Sequence, residues 1–213
     1  MNYLDIINKT LIELNYTPVA SFNDLTKMEH KRLMNIINRL NKEICNASPN
    51  FYFRQIIKKQ KLYPDKTEYA LDITGRVSKI SGERGEYIFE ADYSKFYNNS
   101  VPENSYSFYG GKYIFPKTDD TLRIFYSTDN FVLNKNDELK ADFEVGEDRT
   151  IIPGNFAEKL LVNGGAYNFK QNSAHPKYAH WKNEYDKALS ELLSEAKKIS
   201  GTDIIIDGGY RKL

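Results

Sequence analysis

The chain contains one cysteine, one tryptophan and three histidines in 213 residues. A lone Cys45 excludes an internal disulfide and any metal site built from several thiolates. Its place at the end of a helical stretch reads as a small buried residue. His175 and His180 stand five apart, not at the i, i+4 spacing that puts two imidazoles on one helical face, and His30 is remote from both in sequence. No apolar run approaches the ~18 residues of a membrane span, and the first residues are amphipathic rather than a secretory leader. Neither sign of charge dominates, with 30 basic against 29 acidic residues interleaved along the chain. A sequence-specific DNA-binding protein usually carries a basic footprint, and none is present. Ser81-Gly82-Glu83-Arg84-Gly85 is a turn without the lysine or the following helix of a phosphate loop. The Gly-x-Ser-x-Gly elbow is absent, and the carboxylates show no spacing that pairs two of them. The expectation is a protein without catalytic residues, metal or cofactor, and so not an enzyme.

What the chain does have is aromatic side chains and two clear periods. Aromatics make up 14% of the residues, although mean hydropathy is −0.62. Many tyrosines must therefore lie at surfaces or interfaces, where a large, rigid, amphipathic side chain is favoured.

The first period is helical. Leu4, Ile7, Leu11 and Leu14 define a short first helix, broken at Tyr16-Thr17-Pro18. A longer helix is predicted from Asn23 or Asp24 to about Asn46, with Leu33, Ile36/Ile37, Leu40 and Ile44 as its apolar stripe. Near the other end, Asn155 is the predicted N-cap of a helix whose face is Phe156, Leu160, Asn163/Gly164 and Tyr167. Gly164-Gly165 inside that helix costs about 1 kcal/mol per glycine relative to alanine; close approach of a neighbouring helix would compensate, and a kink is the alternative. After a break at His175-Pro176, Tyr178, Trp181, Tyr185, Ala188, Leu192, Ala196 and Ile199 recur at three- and four-residue steps, and Gly201 suits the position past the helix end. Leu33, Ile37, Leu40, Phe156, Leu160, Trp181, Tyr185 and Leu192 are the expected core of one bundle.

Between Phe51 and Thr150 the period shortens. Segments beginning at Phe51, Tyr69, Val77, Tyr87, Tyr106, Lys112 and Leu122 are short, aromatic and β-branched, with turn residues between them. Tyr109-Gly110-Gly111-Lys112 has the centre of a tight hairpin. Residues 128–150 read as a long polar connection, with Glu144 to Arg149 as exposed loop. The fold class is therefore α+β: a helical bundle from residues 1–50 and 151–200, with an inserted antiparallel β domain at 51–150 and an extended tail at 201–213.

Two further segments draw notice. Arg54, Lys58, Lys59 and Lys61 form a basic cluster with no acidic residue among them, either lining a path for DNA or protecting an edge strand. In the tail, Ile204, Ile205 and Ile206 are β-prone and apolar, and Tyr210, Arg211 and Leu213 follow a Gly208-Gly209 joint. This segment either adds a strand to the chain's own sheet or docks on a neighbouring subunit by backbone pairing.

Several local patterns stand in an order that resembles the adaptor, or head-to-tail connector, proteins of short-tailed bacteriophages, the tail tubular protein A-like group. They are the paired N-terminal helices, Asn50-Phe51-Tyr52-Phe53-Arg54, Tyr69-Ala70-Leu71-Asp72, Arg123-Ile124-Phe125-Tyr126, Ile152-Pro153-Gly154-Asn155-Phe156 through Leu160-Leu161-Val162-Asn163-Gly164-Gly165-Ala166, and Tyr185-Asp186-Lys187-Ala188-Leu189. The family's Leu-Pro after the second strand is replaced here by Asp72-Ile73-Thr74-Gly75, and the 82–110 region is longer and richer in tyrosine. The resemblance implies a structural virion protein, assembled in the host cytoplasm into a homo-oligomeric ring of twelve. Its implied partners are the portal protein above and a tail nozzle or further ring below. Genomic DNA would pass through without sequence-specific contact, and no membrane or cofactor is implied. Other readings of the sequence are a different connector or head-completion ring protein, a β-rich carbohydrate-binding module, and an enzyme with a carboxylate pair.

Overall fold

The structure is a computed structural model and describes residues 1–199. It is α+β, and the chain divides into two compact units. Among the described residues, 1–54 and 129–199 make a helical unit and 55–128 a β unit.

The helical unit begins with α1, Tyr3–Glu13, whose first turn is capped by the Asn2 side chain accepting from the Asp5 N–H at 2.8 Å. Tyr3, Ile6, Ile7, Thr10 and Leu11 are its buried face. The second helix starts later than its sequence predicts. Ser21 and Asp24 form a reciprocal capping box, but it closes on a single 3-10 turn, Phe22–Asp24, and α2 runs Met28–Asn46. The cap satisfies its orphan groups within one turn, so no helix needs to propagate from it. The predicted stripe of α2 is buried, with Asn41 added to it. Asn41 donates to the Phe131 carbonyl at 3.1 Å and accepts from the Thr150 hydroxyl at 2.6 Å, so the helix is pinned to the segment that returns after the β unit.

Phe51-Tyr52-Phe53 does not open a strand. Tyr52–Arg54 is a 3-10 turn, with Phe51 buried and stacked on Phe53 at 4.9 Å. The β unit then carries β1 (Gln55–Leu62), β2 (Glu68–Tyr69), β3 (Gly75–Gly82), β4 (Gly85–Glu86), β5 (Ile88–Phe89), a helical turn α3 (Ser94–Tyr97), β6 (Ser105–Tyr109), β7 (Lys112–Ile114) and β8 (Asp120–Thr128). One sheet has the order β1-β8-β3-β4 and the other β2-β7-β6-β5. All pairings in them are antiparallel except β5 with β6, which is parallel. The β6–β7 hairpin turns on Gly110 and Gly111 at φ 58° and 78°, the two left-handed positions of a type I′ turn. The segment at Tyr87 serves both sheets. Its N–H donates to Ile80 on β3, while the next N–H, of Ile88, donates to Asn104 beside β6. Leu62, Tyr69, Ile80, Tyr87, Phe115, Leu122 and Ile124 form the core of this unit.

Residues 129–150 return to the helical unit rather than trailing as a polar connection. They supply a small sheet of β9 (Val132–Leu133), β10 (Leu139–Lys140) and β11 (Arg149–Thr150), in the order β10-β9-β11. Phe131, Val132 and Phe143 are buried with the helices. The charged run is exposed, as expected, at Glu144, Glu147 and Arg149, but it folds around Asp148, which is fully buried. One of its carboxylate oxygens accepts from the Glu144 N–H at 2.6 Å, the Val145 N–H at 2.9 Å and Lys140 Nζ at 2.9 Å. Burial opposes its ionisation, but those donors outweigh burial and hold its carboxyl below the usual range.

The unit closes with α4 (Gly154–Ala157), a π-helical turn at Glu158–Asn163, α5 (Gly164–Lys170) and α6 (Tyr178–Ile199). The first three run on as one helix. It is buried on more sides than the single predicted face, because Ala157, Leu161, Val162, Ala166 and Phe169 are interior as well as Phe156 and Leu160. The two glycines make that possible. A Cβ on Gly164 would stand 2.8 Å from the Tyr185 ring of α6, and one on Gly165 would stand 3.3 Å from Thr10 of α1 and 3.6 Å from Ile37 of α2. Close approach explains the pair. Leu33, Ile37, Leu40, Phe156, Leu160, Trp181 and Leu192 lie in this one core, with Tyr185 half-buried against it.

Candidate assembly surface

The residues that sequence reading singles out fall into three groups, and the structure treats each differently. The bundle residues are structural. Trp181 is fully buried, and its indole N–H donates to Glu13 at 3.0 Å, with Lys177 Nζ on the same oxygen at 3.2 Å. The indole and then the ammonium hold the Glu13 carboxyl below its ordinary value. This node ties α6 to α1 and leaves Trp181 unable to stack on any ligand.

The basic cluster does not form. Arg54 is buried in the helical unit, where its guanidinium donates to the Cys45 carbonyl at 2.9 Å and the Ser48 carbonyl at 3.3 Å, and pairs with Asp129 at 2.9 Å. It also lies over the Phe131 ring. Lys58, Lys59 and Lys61 are on β1, the outer strand of its sheet. Lys58 donates to the Asp72 carbonyl at 2.7 Å, and Lys61 pairs with Asp119. Burial takes Arg54 out of the group, and three lysines on an outer strand fit edge protection. The tail residues Ile204, Ile205, Ile206, Tyr210, Arg211 and Leu213 lie outside the described residues.

Among the described residues no catalytic constellation emerges. Cys45 is buried, and burial pushes its thiol up to about 12, far from a nucleophilic thiolate. His30 is buried, His175 stacks on Trp181 with ring centres 4.9 Å apart, and His180 is exposed on α6. Asp120 meets Tyr87 in the β unit, with hydroxyl to carboxylate at 2.8 Å. The same carboxylate accepts the Glu83 and Thr121 N–H groups at 2.9 and 2.6 Å. Burial raises the Tyr87 hydroxyl and the carboxylate raises it further, so this phenol stays protonated and serves as a hydrogen-bond strut. Among the described residues no group of His, Cys, Asp and Glu is placed to hold a metal ion, and no helix is long and apolar enough to cross a membrane.

The feature that stands out is an aromatic surface on the second β sheet. In the register of that sheet, Tyr69, Tyr113 and Phe108 are partners on one face, joined by Tyr106 and Phe89. Their rings form a continuous chain from the buried Phe115 outward. Tyr113 and Tyr106 lie 6.4 and 6.3 Å from Phe115, then Phe108 is 4.9 Å from Tyr113 and Phe89 is 5.5 Å from Tyr106. The inner rings belong to the core, and the outer ones do not. Phe89 is 54% exposed, Phe108 52% and Ile88, on the other face of β5, 66%. That other face is partly covered by α3, whose Tyr97 hydroxyl donates to Glu68 at 2.7 Å while Tyr93 stacks on Tyr109 at 4.0 Å.

Sequence reading located these strands but missed the surface. Alternation in Tyr106-Ser107-Phe108-Tyr109 shows that two faces exist. Which one lacks a cover depends on where the sheet ends, and β5 is its last strand. Exposed aromatic side chains gathered at the end of a sheet are chemically suited to burial against another protein surface. No protein-family model matches the chain, and no curated protein matches it.

Proposed function

We propose that the chain is a structural virion protein, an adaptor that assembles as a ring between the portal and the tail of a short-tailed bacteriophage and extends the DNA channel. The observation that carries this reading is the exposed aromatic end of the β unit, a surface suited to protein contact in a chain with no catalytic constellation among its described residues. Three other features are consistent with it. The Leu160-to-Ala166 motif that contributes to the family resemblance is the buried centre of the helical unit. Both ends of the described chain contribute to one core, which suits a rigid wall element. The near balance of charge, +1 overall, suits a protein that surrounds DNA without neutralising enough phosphates to grip it. Twelve copies, a portal above and a nozzle or further ring below belong to the same proposal, as do a place in the virion and the absence of enzymatic activity. The burial of Trp181 weakens the carbohydrate-binding alternative, since the one indole cannot face a sugar.

The test is native mass spectrometry and negative-stain microscopy of the purified chain, alone and with portal protein from the same phage. Rings stacked on the portal are expected. A chain that never associates with portal, or reproducible turnover on peptidoglycan, nucleic acid or glycan that is lost on changing one acidic residue, refutes the reading.

A further inference from the structure

The helix α6 turns one stripe inward and keeps a second strip open beside it. Trp181, Ala188, Leu192 and Ala196 are buried. Asp186, Leu189, Ser190, Leu193, Ser194 and Lys197 recur at three- and four-residue steps on the adjoining face and line a groove of about 380 Å³. Leu189 and Leu193 are half-buried, packed on one side against the helical core. Ser190 and Ser194 are exposed and small. All six of these lining residues belong to α6.

The position of the groove along the helix selects what can fill it. Leu193 and Leu189 lie roughly 9 and 15 Å back along the axis from Ile199, at ~1.5 Å per residue. Ile199 ends α6 and is the last described residue, and the chain continues through residues 200–213. The first apolar group beyond it is Ile204-Ile205-Ile206. Gly201 lacks a Cβ and tolerates the left-handed backbone with which a chain turns away from a helix end. With a reversal at Gly201, an extended chain of ~3.3 Å per residue brings the three isoleucines roughly 7–14 Å back along α6, the stretch occupied by Leu193 and Leu189. Asp203 then falls beside Lys197, a residue of opposite sign at the near end of the groove.

We propose that the groove on α6 is the docking site of the chain's own last segment, with Ile204, Ile205 and Ile206 laid over Leu193 and Leu189. Docking takes a β-prone apolar triplet out of water and covers the open side of two leucines. The occupant is this copy's segment rather than that of a second copy, because so short a tether presents it to the groove at a millimolar effective concentration. Sequence reading offers the segment to the chain's own sheet or to a neighbouring subunit. The groove gives it a third acceptor on the helix from which it emerges, and this contact needs neither a ring nor a portal.

The test reads the groove with single thiols in the full-length chain. Ser194→Cys puts a thiol in the groove with little change in size, and Lys187→Cys puts one at an exposed α6 position outside it. The native Cys45 is fully buried and labels only if a variant unfolds. Each thiol is alkylated with N-ethylmaleimide in the otherwise wild-type chain and in one carrying Ile204→Ser, Ile205→Ser and Ile206→Ser together. Loss of the isoleucines should speed alkylation at Ser194→Cys at least about tenfold, the mark of a cover that opens rarely, and leave Lys187→Cys unchanged. Ser194→Cys combined with Ile205→Cys should form, under mild oxidation, a disulfide within one chain that runs as a monomer on a non-reducing gel. Equal alkylation rates at Ser194→Cys, the same acceleration at Lys187→Cys, or a disulfide that joins two chains overturns the inference; the last outcome assigns the groove to a second copy.

Discussion

The helical unit and the β unit use aromatic residues in opposite ways. In the helical unit Tyr3, Phe51, Phe131, Phe143, Phe156, Phe169 and Trp181 are all interior. In the β unit the chain of rings that begins at Phe115 continues to the surface, where Phe89 and Phe108 are more than half exposed, and on the other face of the sheet Tyr97 and Tyr109 are too. The strands of the second sheet are two to five residues long, and its end strand has nothing described beyond it. The helical unit draws on residues from both halves of the described chain and wraps a central helix that glycines allow its neighbours to approach closely. One unit encloses its own core; the other leaves apolar area exposed.

The strongest way to break this comparison is to remove the residue on which the helical core closes. Trp181→Ala should cost about 3–5 kcal/mol through the cavity and the lost indole hydrogen bond. Hydrogen exchange should then accelerate across α1, α2 and α6, while the β-unit strands keep their protection. Near-wild-type protection in the helices would show that the core does not depend on this side chain. The counterpart in the β unit is Gly75→Ala. Gly75 has φ 137°, and a Cβ there would stand 2.0 Å from the Ser127 carbonyl oxygen, so backbone must move. A loss of roughly 2–3 kcal/mol is expected, visible as faster exchange in β1, β3 and β8 with Trp181 fluorescence unchanged at low denaturant. If both substitutions loosen both units equally, the chain unfolds as one body and the contrast fails.

A smaller effect sharpens the contrast through pH. The Asp148 carboxyl is held below its ordinary value in the folded chain, so its stabilisation is present above the unfolded value of about 3.9 and is lost as pH falls through the folded one. Asp148→Asn should cost about 1–2 kcal/mol at neutral pH and flatten the acid end of the stability profile. Denaturant midpoints of wild type and variant between neutral pH and pH 3 check this; parallel profiles would remove Asp148 as the cause. The smallest effect belongs to the hairpin. Gly111→Ala places a side chain at φ 78° with open space around it. Only the conformational cost of about 1 kcal/mol is expected, confined to β6 and β7 in exchange measurements.

What the sequence reveals follows from what its periodicity encodes. The α6 stripe of Trp181, Ala188, Leu192 and Ala196 is legible because a three-and-four spacing maps onto one helical face, and all four are buried. The Gly110-Gly111 turn is legible because few residues tolerate two successive positive φ angles. The π turn at Glu158–Asn163 is not, since it shifts the phase of the helix without changing its composition. Residues 129–150 are also opaque. Their order comes from one buried carboxylate gathering backbone N–H groups, and nothing periodic marks it. Arg54 misleads for a related reason: next to three lysines it reads as a surface cation, yet backbone carbonyls and Asp129 draw it inside. The exposed rings of Phe89 and Phe108 depend on which strand is last, which local sequence does not state.

The Arg54–Asp129 pair has one more consequence. These are the residues at which the chain leaves the helical unit and comes back, and they are joined by a 2.9 Å ion pair from a guanidinium whose other terminal nitrogen is tied to carbonyls at and just past the end of α2. In chain-topology terms, everything between them is a single loop with its two ends already clasped. Closing a free loop of roughly seventy residues costs about 4 kcal/mol in chain entropy beyond a constant, and the cost grows only logarithmically with length. The clasp therefore makes the position a graft point. The excursion between residues 54 and 129 can lengthen, shorten or be exchanged for another module while the closure it must satisfy stays nearly the same.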